Sequence, residues 1–301
     1  MAMKAYYNDV FVLPLPDGHR FPMTKYRRLR ERLISEQVLP EVSLIIPDAA
    51  TDEDILRCHD SGYLSRVKNG TLDRKEIVRI GFPWSVELVE RSRRSSGATI
   101  CAARTALSEG VSANLAGGTH HAGRDFGAGY SVFCDSGIAA RALQAEGLIE
   151  KVAVIDCDVH QGNGTADVTQ GDDSIFTFSI HGERNFPFRK IAGDLDIGLA
   201  DGTGDAEYLQ TLEIAIDRIL NVFQPDLVIY QSGADPFIGD KLGKLSLTKA
   251  GLAARDQMVL ERCRAEGLPV AVTMGGGYAK DVEDIVDIHL ETIRIAASFC
   301  E

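Results

Sequence analysis

Short apolar runs alternate along the chain with longer stretches of mixed polarity. The runs are rich in β-branched residues and show no clean in/out alternation, the pattern of strands buried on both faces of a parallel sheet. They predict strands at 4–7, 43–46, 112–116, 152–156, 175–179, 227–231 and 270–274. Between them, apolar positions recur at helical spacing and predict helices at 24–36, 84–109, 137–145, 206–223, 247–265 and 282–299. A strand–helix rhythm of this kind implies right-handed crossovers and an open, doubly wound α/β sheet flanked by helices. No repeat, low-complexity tract or Gly/Ser-rich linker interrupts it, so residues 1–301 read as a single domain.

Ligands of such sheets sit in the crevice beyond the carboxyl ends of the strands. Five predicted strands run into Gly-rich polar loops: GGTHHAG after 116, DCDVHQGNG from 156, IHGERNF after 179, SGADPF after 231 and GGGYAKD after 274. If the strands are parallel, all five loops meet on one edge. Nearly all the His, Asp and Gly-rich chemistry of the chain lies in them.

Composition adds little to this and removes several classes. Hydrophobic residues are 45% of the chain and charged residues 25%, ordinary for a globular protein. The formal net charge of −12 argues against direct nucleic-acid binding and is compatible with cationic substrates such as lysine-rich peptides or polyamines. The six cysteines are scattered with no CxxC pair, which disfavours a disulfide framework or a cysteine zinc site and fits a reduced, cytoplasmic protein. The N-terminal residues lack a signal-peptide pattern, and no apolar run approaches the length of a membrane span.

The loops carry the chemistry. Asp156, Asp158 and His160 alternate, and in extended chain alternate side chains share a face. A catalytic zinc needs three His or carboxylate ligands and one open position. Asp158 and His160 offer two, and Asp235 in SGADPF is the best candidate for the third. The competing view is that Asp156 and Asp158 cap the following helix. His120 and His121 are adjacent in a Gly-flanked turn, where one can take a proton from water and the other donate to a leaving amine. A lone buried His is more often structural, so it is the pairing that points to catalysis. Gly275, Gly276 and Gly277 precede Tyr278, whose hydroxyl can bond a developing oxyanion; alone, GGGY would read as a turn with an incidental Tyr. No GxSxG or Cys–His pattern competes.

The set GGTHHAG, DCDVHQGNG, SGADPF and MGGGYAKD, in this order over residues 117–280, resembles the histone deacetylase and acetylpolyamine amidohydrolase superfamily. FPMTKY and HDSGYL fit it too, and the compact length looks most like the eleventh-type (class IV) branch and its bacterial relatives. The resemblance implies an arginase/deacetylase-like sheet and one zinc held by Asp158, His160 and Asp235. It implies tandem catalytic histidines, with Asp156 behind His120, and Tyr278 as the oxyanion tyrosine. It places Gly129 where a carbonyl accepts the substrate amide, Tyr130 and Phe186 as channel walls, and Gly276 and Gly277 at the substrate. Members often also carry potassium, held largely by carbonyls near Asp156, Asp158, His160, Ser179 and Ile180. The implied substrate is an acyl-lysine or another acylated amine, including acetylpolyamines; oligomerisation could cap the channel and select small ones. Two departures stand out. Asn163 occupies the position where many members have an Asp behind the second histidine, and no acidic rim loop is evident. A two-metal ureohydrolase on the same fold and a non-catalytic binding protein are the rival readings.

Overall fold

The computed structural model describes residues 2–300, so Met1 and Glu301 of the expected 1–301 domain lie outside the described residues. The strands are β1 (Ala5–Tyr6), β2 (Leu44–Ile45), β3 (Val111–Asn114), β4 (Val152–Asp156), β5 (Ile175–Gly182), β6 (Leu195–Leu199), β7 (Leu227–Gly233) and β8 (Val270–Gly275). They form one sheet in the order β2-β1-β3-β8-β7-β4-β5-β6, and every pairing is parallel. The helices are α1 (Thr24–Ser35), α2 (Asp52–Leu56), α3 (Ser61–Asn69), α4 (Arg74–Ile80), α5 (Val86–Glu109), α6 (Asp135–Ala145), α7 (Asn163–Thr169), α8 (Asp205–Phe223), α9 (Lys249–Ala265) and α10 (Val282–Ala297).

The unbroken apolar runs of the central strands are explained by two cores, one on each face. Ala153, Ile155, Val228 and Tyr230 pack with α1, α8, α9 and α10. Val152, Val154, Leu227 and Ile229 point the other way, into a core with α3, α5 and α6. Burial on both faces leaves no polar side for the strand to display.

All seven expected strands are present, and β4 has the expected bounds. β3 ends at Asn114 rather than 116, so the loop to His120 begins earlier. β6 was not expected. It is an edge strand carrying Asp196 and Gly198, and its alternating exposure lacks the apolar run that marks its neighbours. The six long helices are present with ends shifted by a residue or two, while α2, α3, α4 and α7 are additional. They are too short to display a period, although two begin with capping boxes, Thr51 with Asp54 and Asp73 with Glu76. All six cysteines are free. Among the described residues no helix is long and apolar enough to cross a membrane.

Candidate active site

Because every strand is parallel, the loops after β3, β4, β5, β7 and β8 leave the same edge of the sheet. The loop after β3 is pinned from behind by Asp135, the first residue of α6. Its buried carboxylate accepts from the Gly118 and Thr119 amides and from the hydroxyls of Thr119 and Thr99. The Gly164 and Thr165 amides at the start of α7 donate to the His120 carbonyl. The two histidines that follow lie side by side, ring centroids 4.0 Å apart.

Their partners differ in kind. His120 Nδ1 lies 2.6 Å from Asp156 Oδ2. Burial opposes charge on this ring, but Asp156 and Asp158 outweigh it and hold its pKa up at about 9. His121 Nδ1 lies 2.7 Å from Asn163 Oδ1. An amide oxygen only accepts, so the proton sits on Nδ1 and Nε2 keeps an open lone pair. Burial, with the neighbouring His120 and His160, pushes the His121 pKa well below its ordinary value. One ring is thus disposed to be cationic and its neighbour neutral.

Asp158, His160 and Asp235 converge beside this pair. Their ligand atoms all lie within 4.8 Å of one another. His160 Nδ1 is 3.0 Å from Asp158 Oδ1 and 3.2 Å from Asp235 Oδ2. Ligands at zinc bond lengths of about 2.0–2.2 Å in a tetrahedron stand roughly 3.3–3.6 Å apart, close to these separations. Asp235 is fully buried; Oδ1 accepts from the Val159 amide, while Oδ2 has no hydrogen-bond partner. Two buried carboxylates call for a cation. Burial alone would hold the His160 pKa down, yet Asp158 and Asp235 lift it to about 10. Burial likewise works against the Asp158 carboxylate, but His120 and His160 hold its pKa below the usual range. Burial and the charge of Asp158 lift that of Asp235. The donor set, the spacing and the orphaned oxygen fit one divalent ion. Neither aspartate caps α7: Asp156 Oδ1 accepts from the Asp158 amide and Asp158 Oδ1 from the His160 amide.

The glycines after β8 are required where they stand. Gly276 has φ +58°, and a Cβ there would lie 2.1 Å from Asp235 Oδ2. Tyr278 follows, its amide donating to Asp240 Oδ2 at 2.6 Å. Burial, with Asp235 and Asp158, lifts the Tyr278 hydroxyl pKa well above normal, so it stays a proton donor at neutral pH.

The site opens into a cavity of about 400 Å³, whose lining includes His121, Gly129, Tyr130, His160, Phe186 and Tyr278. Gly129 (φ +51°) approaches His121 closely: a Cβ there would lie 2.5 Å from its Cδ2. Phe186 stands edge-on to His121, centroids 4.9 Å apart at 88°. The fold brings the expected site residues together, but neither Gly276 nor Gly277 lines this cavity: Gly276 packs against Asp235, and Gly277 faces Ile285 and Ala234.

Three contributors escaped the sequence reading. Asp240 holds Tyr278 from five residues beyond Asp235. Lys25, 3% exposed, donates to the Gly276 carbonyl from among the rings of Phe21, Tyr26 and Tyr278; it lies in FPMTKY, where a Lys in an aromatic-flanked stretch was the available sign. Arg255 is fully buried under the sheet beside Asp256 and donates to the carbonyls of Gly233 (2.6 Å) and Cys157 (3.3 Å). It ties together the strand ends that carry Asp158 and Asp235. Nothing in the sequence of α9 marked it, because the helix shows no clear apolar stripe and two adjacent charges read as surface residues. Arg255→Met is expected to destabilise the protein by about 3–5 kcal/mol, because Asp256 is left as an uncompensated buried charge. Denaturant unfolding checks this, and a loss under about 1 kcal/mol would show that the pair contributes little.

The histone deacetylase domain family matches residues 19–293. The chain is 42% identical over 289 residues to an uncharacterised protein of Picosynechococcus sp., covering 96% of each. It is 30% identical over 290 residues to a histone deacetylase-like amidohydrolase of Pseudomonas aeruginosa, covering 89% of this chain and 74% of that protein. The crystal structure of a histone deacetylase homologue from Aquifex aeolicus superposes with a TM-score of 0.83 at 21% identity, over 100% of this chain and 85% of that one, and so shares the arginase/deacetylase-like fold. With the family matched over most of its length and the fold shared, the chain belongs to the histone deacetylase family.

Proposed function

We propose that this chain is a zinc-dependent amidohydrolase that removes an acyl group from an amine, with an acyl-lysine side chain as the leading substrate. The observation that carries the reading is the convergence of Asp158, His160 and Asp235 beside the His120–Asp156 and His121–Asn163 pairs at the base of one cavity. The relative named as a histone deacetylase-like amidohydrolase supports it.

In this reading Asp158, His160 and Asp235 hold the zinc. Zinc bound there supplies Lewis-acid activation of the acyl carbonyl and of the attacking water. His121 accepts the water proton at Nε2, the lone pair that its bond to Asn163 leaves open. His120, kept cationic by Asp156, stabilises developing charge and delivers a proton to the leaving amine. Tyr278 donates its hydroxyl to the tetrahedral oxyanion. The Gly129 carbonyl accepts the substrate amide N–H, and Tyr130 and Phe186 wall the channel and exclude water. Hydrolysis of a fluorogenic acyl-lysine by zinc-loaded protein, varied in acyl length and amine, tests the reading. No turnover across the panel would overturn it.

The Asn163 position makes a separate prediction. His121 must be neutral to accept a proton, so activity is lost as pH falls through its pKa. A carboxylate in place of the amide favours the imidazolium and raises that pKa. Asn163→Asp is therefore expected to move the acidic limb of kcat/KM upward by about 1–3 pH units. A limb that stays in place in the folded, zinc-loaded variant would show that Asn163 does not govern His121.

A further inference from the structure

We propose that the substrate carries an anionic group, a carboxylate or a phosphate, on the part that stays at the cavity mouth when its acylated amine enters, and that Arg79, Arg184 and Lys244 at that mouth read it. The inference rests on the amidohydrolase reading above and names the substrate class of that site.

The charge of the exposed lining at the cavity mouth is opposite to that of the protein. The chain holds 44 acidic against 32 basic residues, yet the cavity lining contains Arg79, Arg184 and Lys244 and no Asp or Glu. The three cations come from separate elements: α4, the loop after β5 and the loop after β7. Arg79 is exposed, its guanidinium stacked 3.7 Å from the Phe126 ring, and Lys244 donates to the Arg184 carbonyl at 3.1 Å. Among the described residues neither Arg79 nor Lys244 has a carboxylate within ion-pair distance. Arg184, with 75% of its side chain exposed, has one only at 3.8 Å, on Asp201. Surface cations in an acidic protein usually sit among carboxylates; here two of the three at one concave mouth have no such neighbour and the third has one at 3.8 Å, which leaves a positive field focused on the opening.

That field has consequences for what enters. Net charge suggests an affinity for cationic peptides, but a ligand in a cleft feels the charges lining it, because opposite charges farther than about 8–10 Å are screened at ordinary salt. A lysine-rich tail would bring like charges against Arg184 and Lys244. A carboxylate or phosphate left at the mouth would meet guanidinium forks suited to two-oxygen acceptors. Exposed Val78 and Phe188 flank the same opening and offer apolar surface to the carbon skeleton between the anion and the amide.

The test is a matched peptide series in which acetyl-lysine is flanked by Ala, Asp, phosphoserine or Lys, assayed with zinc-loaded protein at low and high salt. The expected kcat/KM order is anionic, then neutral, then cationic. Asp or phosphoserine should exceed Lys by about tenfold or more at low salt, with the gap narrowing as salt rises. The Asp and phosphoserine arms separate the two anions. In Arg184→Glu/Lys244→Glu the order should reverse, a readout independent of any change in absolute rate. Hydrolysis indifferent to flanking charge, or an order unchanged in the double variant, would overturn this inference alone. Hydrolysis of no member would overturn the amidohydrolase reading and this inference with it.

Discussion

Tyr278→Phe is expected to fold and bind metal as the parent does and to lose about 10²–10³ in kcat, the usual cost of removing one oxyanion donor. The change takes away only a hydroxyl. Among the described residues that hydroxyl makes no hydrogen bond to protein, whereas the backbone amide of Tyr278 is anchored on Asp240. The ring contacts to Tyr130 and Phe21, at 5.8 and 6.2 Å between centroids, survive the substitution. Binding of substrate in the ground state should change little, so the loss appears in kcat and not in KM. Near-normal kcat would mean that Tyr278 is a wall of the cavity and nothing more.

Asp235→Asn carries the second large effect. The amide has the shape of the carboxylate and can still accept from the Val159 amide through Oδ1, so the fold is retained. It is a poor zinc ligand and removes one of the two carboxylates from the ligand set. The zinc contribution to an amide hydrolysis is several kcal/mol, so kcat/KM is expected to fall by about 10³ or more. A binding readout separates this from a merely catalytic role. Zinc at a hundredfold excess over its Kd should stabilise the parent by about 2.7 kcal/mol and the variant far less. Equal thermal shifts in the two proteins would remove Asp235 from the ligand set.

The parts of the molecule that were legible in its sequence share a physical property: the signal was local. The run Val152–Asp156 is apolar on both faces because both faces are buried, so the strand announces itself with its correct ends. Asp158, His160 and Asp235 were legible because a parallel sheet puts every strand end on one edge, and the loops after β4 and β7, adjacent strands, must then meet. The tandem histidines were legible through their glycines. What could not be read depended on partners distant in sequence or on elements too short to repeat. β6 alternates Leu195, Ile197 and Leu199 with exposed Asp196 and Gly198, the half-exposed pattern of an edge strand and not the unbroken apolar run of its neighbours, and its Asp196 accepts from the Gln161 side chain, 35 residues away. Arg255 and Asp256 look like surface charges of a helix until the carbonyls of Gly233 and Cys157 are seen to receive the guanidinium. The sign of charge at the cavity mouth was hidden for the same reason. Arg79, Arg184 and Lys244 are far apart in the sequence, and the total of −12 says nothing about where three cations gather.

The central claim is that one zinc, held by Asp158, His160 and Asp235, is needed for amide hydrolysis. The most direct measurement strips the protein of metal, titrates zinc back, and follows bound zinc and acyl-lysine hydrolysis in the same samples. No hydrolysis is expected in the stripped protein and full activity at one zinc per chain, with bound zinc and hydrolysis both lost in Asp235→Asn. Activity that survives complete metal removal, or that requires two metal ions per chain, would contradict it.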